Sequence, residues 1–527
     1  MRLPKAEETS AKSHLKTLTP PIGSTWIVSP TQGAIFEDYE NVAFTVAPVT
    51  TTPVLQYKVE YFEWLGSQLV SRSTSSPNTT LYLRVRKDNG LFAVYASAQR
   101  GDSTWTDPIP TVYEIRSDHD YETPPPPKWI DLQPKGAQLG VQPSANADMN
   151  SGVAALRSDG MYRTFDASWM TPNDINLPGS DGYVGLTDDG TWSGMNYILH
   201  KSGLVFAVVD SNYTSVYPPV LAYDLSKVHN LGGYPDYCEK YVKITRAFQA
   251  TDFNFYPQAT NYYPAGYQTS GSAWVLTNQG SLFYVDQGTI VEKHTFLHDQ
   301  LTPGSHCIDM TDSGEHGDQV TNANGDNLWV LADNGDLFLC TRSSCVKNPV
   351  TLPTLPANSH GDEDQYIQIV ATQVDGIYAS VGLPEGGRMQ VISQFGKVIR
   401  FTKDGIINSP TTGSTIYSDL NGTMRDSQGN IIPQNPFSGK VLKTVRDAAN
   451  LGNMHVMDDS NHLFKAGNSG KVYYQGTVPT AGTVILADSI GIASATQKQF
   501  FVIDSLNQVF AEHVEFDGTE TPVHVLP

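Results

Sequence analysis

The residues with most scope for recognition chemistry are tyrosines. Ten of the 26 in the chain fall between residues 207 and 270. Tyrosine gives a large, rigid, amphipathic contact surface at small entropic cost. Within 253–267 (FNFYPQATNYYPAGY) the prolines and glycine break any strand, so the segment reads as a loop. Tyr237, Tyr241, Tyr256, Tyr262, Tyr263 and Tyr267 are therefore the expected contact residues. The competing reading packs these rings onto their own part of the fold. A second candidate is Arg100-Gly101-Asp102, a tripeptide that can serve adhesion when a loop presents it.

Other polar clusters point to turns. Asn322–Asp326, Asp333–Asp336 and Asp362–Asp364 are acidic enough to suggest calcium, but none fits an Asp-x-Asp-x-Asp-Gly loop. The segment 187–192 (TDDGTW) is similar to the Asp-box of sialidase-type propellers. Its spacing differs and it occurs once, so it reads as an Asp-Gly turn. The sequence has no Ser–His–Asp order, Gly-rich phosphate loop or His-Glu-x-x-His. Four cysteines make no zinc-type pattern and are expected as thiols, with pairing of Cys340 and Cys345 left open. No cofactor and no metal are expected, and no catalytic residue is assigned.

Composition narrows the classes. The chain has 527 residues, 17% of them charged, with a net charge of −20. Such a surface repels phosphates, which argues against a nucleic-acid partner. Mean hydropathy is −0.29 and no long apolar run occurs, so no membrane insertion is expected. With 39% hydrophobic residues the chain can still bury large cores. The first residues, MRLPKAEETSAKSHLKTLTPP, lack the apolar stretch of a signal peptide, so synthesis in a cytoplasm is expected.

The chain divides into four zones. Residues 1–21 are a polar arm. Residues 22–118 carry short alternating apolar runs bounded by turns, the pattern of a β-sandwich. Residues 119–128 contain four consecutive prolines, which favour an extended, semi-rigid spacer. In 92–108 (FAVYASAQRGDSTWTDP) an alternating strand precedes a glycine loop and then Trp105 and Pro108. That segment resembles the penultimate strand and loop of fibronectin type III domains, with an immunoglobulin-like domain as the close alternative. The resemblance implies that Arg100-Gly101-Asp102 lies where such domains can present an integrin-binding loop.

The remainder, 129–527, repeats. Two apolar residues stand five and four positions before a Gly or Asn at Gly160, Gly203, Gly280, Gly335, Gly396, Asn461 and Asn507. In six of the seven an apolar pair comes next, such as Leu282-Phe283 and Leu337-Phe338. Gly and Asn tolerate the left-handed conformation of a tight hairpin. Consecutive apolar residues on the incoming strand predict burial on both faces. The spacing averages about 58 residues, the size of a four-stranded blade with insertions. The pattern resembles the regulator-of-chromosome-condensation type of seven-bladed β-propeller. The expected fold is therefore all-β, a sandwich followed by a seven-bladed propeller.

A polar arm, an adhesion-type module and a propeller together resemble virion proteins of tailed bacteriophages. The resemblance implies a structural protein of the tail or capsid and localisation in the virion. Arm and sandwich would meet other virion proteins, and the propeller would meet a host-surface glycan or receptor, or decorate the shell. The alternatives are a glycosidase-like propeller enzyme and a cytoplasmic protein-binding propeller.

Overall fold

A computed structural model describes residues 22–37, 40–65, 67–85, 90–116, 126–135, 152–166, 173–187, 195–211, 215–216, 219–231, 239–247, 272–286, 289–294, 297–312, 328–341, 344–358, 361–373, 388–446, 453–467, 469–478, 482, 484–491, 497–506, 509–515 and 524–526. Among them the chain is all-β, with two single-turn 3-10 segments and no α-helix. No helix there is long and apolar enough to cross a membrane.

The first module has eight strands: β1 (Ser24–Ser29), β2 (Ile35–Glu37), β3 (Asn41–Pro48), β4 (Val54–Leu65), β5 (Gln68–Ser76), β6 (Thr80–Arg84), β7 (Gly90–Arg100) and β8 (Asp107–Arg116). Hydrogen bonding runs in the order β5-β4-β7-β8-β1-β3-β6, with β2 parallel to β8. The strands β1, β3 and β6 share one core with β4, β7 and β8, built around Phe44, Val59, Tyr61, Leu81, Phe92 and Tyr113.

Strand β7 is buried along both faces from Leu91 to Ala98. Phe92, Val94 and Ala96 point into the module's own core. Leu91, Ala93 and Tyr95 point the other way, into a second core with Leu156, Tyr162, Leu177 and Tyr183 from the next domain. The module thus packs directly against that domain, rather than being held off by the proline spacer. Residues 119–125 of that spacer lie outside the described residues.

Seven further sheets succeed it in chain order, spanning 129–176, 183–224, 241–294, 307–347, 366–419, 424–477 and 484–526. They are numbered one to seven along the chain. Their innermost strands are Trp129–Lys135, Tyr183–Leu186, Tyr241–Ala247, Cys307–Asp312, Tyr366–Gln373, Val441–Arg446 and Val484–Gly491. Each inner strand lies beside the next, and that of sheet seven lies beside that of sheet one. The result is a propeller-like ring of sheets around one axis.

The hairpin signal in the sequence is the joint between the second and third strands of each sheet. Gly160, Gly203, Gly280, Gly335, Gly396 and Asn461 all have φ between 67° and 87°. Each donates its N–H to the carbonyl three residues back, as Gly203 does to His200 (2.9 Å). That is a type I turn closed by a left-handed residue. The side-chain space is also taken. A Cβ at Gly160 would stand 2.6 Å from the Tyr183 ring, and one at Gly203 would stand 2.8 Å from the Tyr241 hydroxyl. At sheets two, three and five the first residue of the inner strand, Tyr183, Tyr241 or Tyr366, therefore lies over the turn of the preceding sheet.

The structure corrects the expectation for the cysteines. Cys340 and Cys345 face each other across an antiparallel pair with Cα atoms 4.0 Å apart, and they are joined as a disulfide. Cys307 is a buried thiol whose pKa burial pushes up to about 12. Cys238 lies outside the described residues.

Replacing Gly203 by Ala should destabilise the chain by about 2 kcal/mol, since a left-handed backbone and a blocked Cβ position act together. Urea unfolding measures this, and the same substitution at Gly304, where φ is +84° but no atom lies within 4 Å, should cost less.

Candidate functional site

The inner strands share a second local rule. Every one of them carries a register shift just after its first residue. The residue skipped is Ile130, Val184, Val242, Ile308, Ile367, Leu442 or Ile485, in each case a branched aliphatic. A β-bulge re-aims the side chains beyond it. Here the third residue of the first six strands lines a central cavity of about 390 Å³: Asp131, Gly185, Lys243, Asp309, Gln368 and Lys443.

These side chains tie neighbouring sheets together. The Leu186 N–H of sheet two donates to Asp131 Oδ2 of sheet one (2.9 Å). Lys243 Nζ of sheet three donates to Asp309 Oδ1 of sheet four. The other Asp309 oxygen accepts from the Ile369 N–H of sheet five (2.9 Å). Gln368 of sheet five donates to the Thr444 carbonyl (2.8 Å) and accepts from the Thr444 N–H (3.0 Å). The axial polar groups thus form a belt whose first task is bracing. Both carboxylates spend oxygens on the next sheet, so neither is placed as a free general acid or base.

A second buried cluster lies at the seam of sheets two and three. Glu239 accepts from the Thr277 hydroxyl (2.8 Å) and the Ser281 hydroxyl (2.9 Å). Its Oε1 is 3.0 Å from His229 Nε2. Burial alone would raise the Glu239 pKa, but the imidazole and the two hydroxyls outweigh it and hold the group below its ordinary value. Asp364 occupies the matching place in sheet five, accepting from the Ser393 hydroxyl (2.8 Å) and the Phe395 N–H (3.2 Å). Recurrence of an acid two residues before an inner strand marks it as part of the hairpin scaffold. Among the described residues no group of three or more His, Cys, Asp or Glu could hold a metal ion.

The rims of the ring differ. Second and third strands join through three or four residues. First and second strands join through 136–151, 187–194, 248–271, 313–327, 374–387, 447–453 and 492–496. Because the sheets share one strand order, these longer connections leave the same rim. Of them, only residues 187 and 453 are described.

The first module grips the opposite, hairpin rim. The Trp64 indole donates to the Ser226 carbonyl (2.6 Å) and the Tyr95 hydroxyl donates to Asp224 (2.7 Å). The Ser180 hydroxyl donates to Glu114 (2.6 Å). Lys227 Nζ sits 3.3 Å above the Tyr95 ring and 4.3 Å above that of Phe62. Burial there lowers its pKa, with Asp224 and Glu60 opposing.

The candidate residues fare differently. Tyr241 is 5% exposed and packs among Tyr197, Tyr223 and Phe283, so it belongs to the seam and offers no surface. Its place over the Gly203 turn explains why an aromatic residue stands there. Tyr256, Tyr262, Tyr263 and Tyr267 fall in the 248–271 connection, and Tyr237 in 232–238, all outside the described residues. Arg100 turns inward, donating to the Gly23 carbonyl (3.1 Å). Asp102 accepts from the Thr104 N–H (3.0 Å) and hydroxyl (2.6 Å). The structure therefore does not present the tripeptide as two free charges. Sequence reasoning missed the axial belt, although a branched aliphatic before each axial residue was its signal.

No family model matches the chain, and no curated protein matches it. A similar solved structure is that of the fibronectin(III)-like modules of Clostridium thermocellum CbhA, at 24% identity, covering 17% of this chain and 93% of that one, with a TM-score of 0.13.

The site geometry carries two expected outcomes. Asp309→Ala should cost about 2–3 kcal/mol, because it strands Lys243 and the Ile369 N–H together. Asp309→Asn should cost less, and urea midpoints compare the two. Glu239 contributes stability above the ordinary glutamate pKa of about 4.3, which is lost as pH falls through its lower folded value. Glu239→Gln should flatten that acid limb, and unfolding midpoints measured from neutral pH to about pH 3 test it.

Proposed function

We propose that this chain is a structural protein of a bacteriophage particle, associated with tail or capsid. In this reading its ring is a seven-bladed propeller of the regulator-of-chromosome-condensation type. The arm and first module dock on other virion proteins, and the propeller meets a host-surface glycan or receptor. The observation that carries the reading is polarity. The first module holds the hairpin rim through Trp64, Tyr95 and Lys227, while the long connections leave the other rim. A mount on one rim and connections of unequal length from the other suit a displayed binding ring. Six left-handed turns among the described residues and seven repeated bulges support the blade number.

The tyrosines of 253–267 are the contact residues this reading favours. Tyrosine rings supply hot-spot chemistry. Purified particles should contain the chain in fixed stoichiometry, detectable by mass spectrometry. Replacing Tyr262 and Tyr263 together by Ala should weaken host-cell attachment about tenfold or more while leaving assembly intact. Absence of the chain from particles would overturn the reading. So would release of sugar from host glycans by the isolated protein.

A further inference from the structure

Arg400 lies in the strand Lys397–Thr402 of sheet five and is 3% exposed. Val398, two residues earlier on the same face, packs with Met454, Val456 and Phe464 of sheet six. Arg400 therefore faces the seam between sheets five and six. Its Nη1 donates to the Tyr417 hydroxyl (3.1 Å), and its guanidinium carbon lies 5.1 Å from the Tyr417 ring centre. Its Nε and Nη2 are buried and have no hydrogen-bond partner among the described residues. Its cross-strand neighbour is the neutral Gln390, 1% exposed, and Arg388 adds a second positive charge that opposes its own.

The geometry of the unpartnered atoms is specific. Nε–H and one Nη–H of a guanidinium point in parallel, and that edge takes both oxygens of a planar oxyanion. Tyr417 occupies Nη1 and leaves Nε and Nη2 unused. An unpaired buried charge costs several kcal/mol, so a seam closed over this edge calls for a counter-charge. We propose that the seam between sheets five and six is a binding site for a small planar oxyanion of carboxylate type, held by the Nε and Nη2 edge of Arg400. The enclosure of the guanidinium selects a free ion of formate or bicarbonate size over a carboxylate carried on a sugar. Bound there, it neutralises Arg400 and locks sheet five to sheet six. This site is independent of the virion reading.

The test uses the full chain, dialysed against sodium fluoride and titrated with sodium formate at constant ionic strength. Thermal unfolding of the natural protein should rise saturably by a few degrees. Arg400→Met should abolish the formate dependence. Arg400→Lys, which keeps the charge but not the fork, should need about tenfold more formate for the same rise. Sodium glucuronate as a parallel titrant separates the two sources: an equal rise identifies a sugar-borne carboxylate and overturns the assignment to a small free ion, whereas no rise supports it. Should Arg400→Met fail to fold, a crystal structure of the natural protein in formate reads the site directly. Equal formate dependence in the natural protein and Arg400→Met would overturn the proposal. Density at Nε and Nη2 belonging to water or to a carboxylate of the chain would do so as well.

Discussion

No sheet in the ring can cover its own faces, and the architecture depends on that single deficit. The cores are seams, not sheet interiors. Val205 and Tyr223 of sheet two pack with Val275 and Phe283 of sheet three; Trp274 and Tyr284 of sheet three pack with Val330 and Phe338 of sheet four. Trp329 and Leu331 then turn to Val391 and Phe401 of sheet five. Every second strand must therefore be apolar on both sides, and burial of each large side chain contributes about 2–3 kcal/mol only if the next sheet is present. The bulges near the axis and the turns at the hairpin rim serve the same end. They bring polar atoms of one sheet to the backbone of the next, so a dry seam ends in satisfied hydrogen bonds.

Much of this was legible, and the legible part was local. Left-handed turn residues and doubly apolar strands, such as Trp274 to Leu276 before Gly280, are written within eight residues, and the repeat amplifies them. The inner strand Tyr183–Leu186 was hidden because four residues with a glycine at the axial position carry little apolar signal. The double burial of β7 was visible in the unbroken run Leu91 to Ala98, yet an alternating subset reads equally well as a strand with one free face. Which surface would cover the other face depends on contacts with residues such as Leu156 and Tyr183, about 60 to 90 positions further along the chain. Tyr241 shows the opposite error. A tyrosine-rich composition suggested recognition, while the partner that decides its role, the turn at Gly203, is 38 residues upstream.

The charge deficit of the sequence also gains a physical meaning. Few lysines and arginines are available, and several are committed to rings or seams. Lys227 lies between Phe62 and Tyr95, Arg157 and Arg163 lie over Trp129, and Arg400 lies on Tyr417. Cations near aromatic faces keep part of their electrostatic stabilisation after water is removed. Several acidic residues lie instead in turns, as Asp336 and Asp426 do, where they accept from nearby backbone or amide groups.

Sheets one and seven are each built from one continuous stretch of chain, 129–176 and 484–526, and among the described residues no strand is exchanged between them. The ring is therefore closed by side-chain packing at that joint, with no strand passing from one sheet to the other. During translation, sheets one to six would stand as an open arc with two uncovered apolar faces until sheet seven emerges. The first module, made before the ring, packs over the seam of sheets one and two through Leu91 and Tyr95. It thus holds the two oldest sheets of the arc together from the hairpin rim while the youngest is still being made.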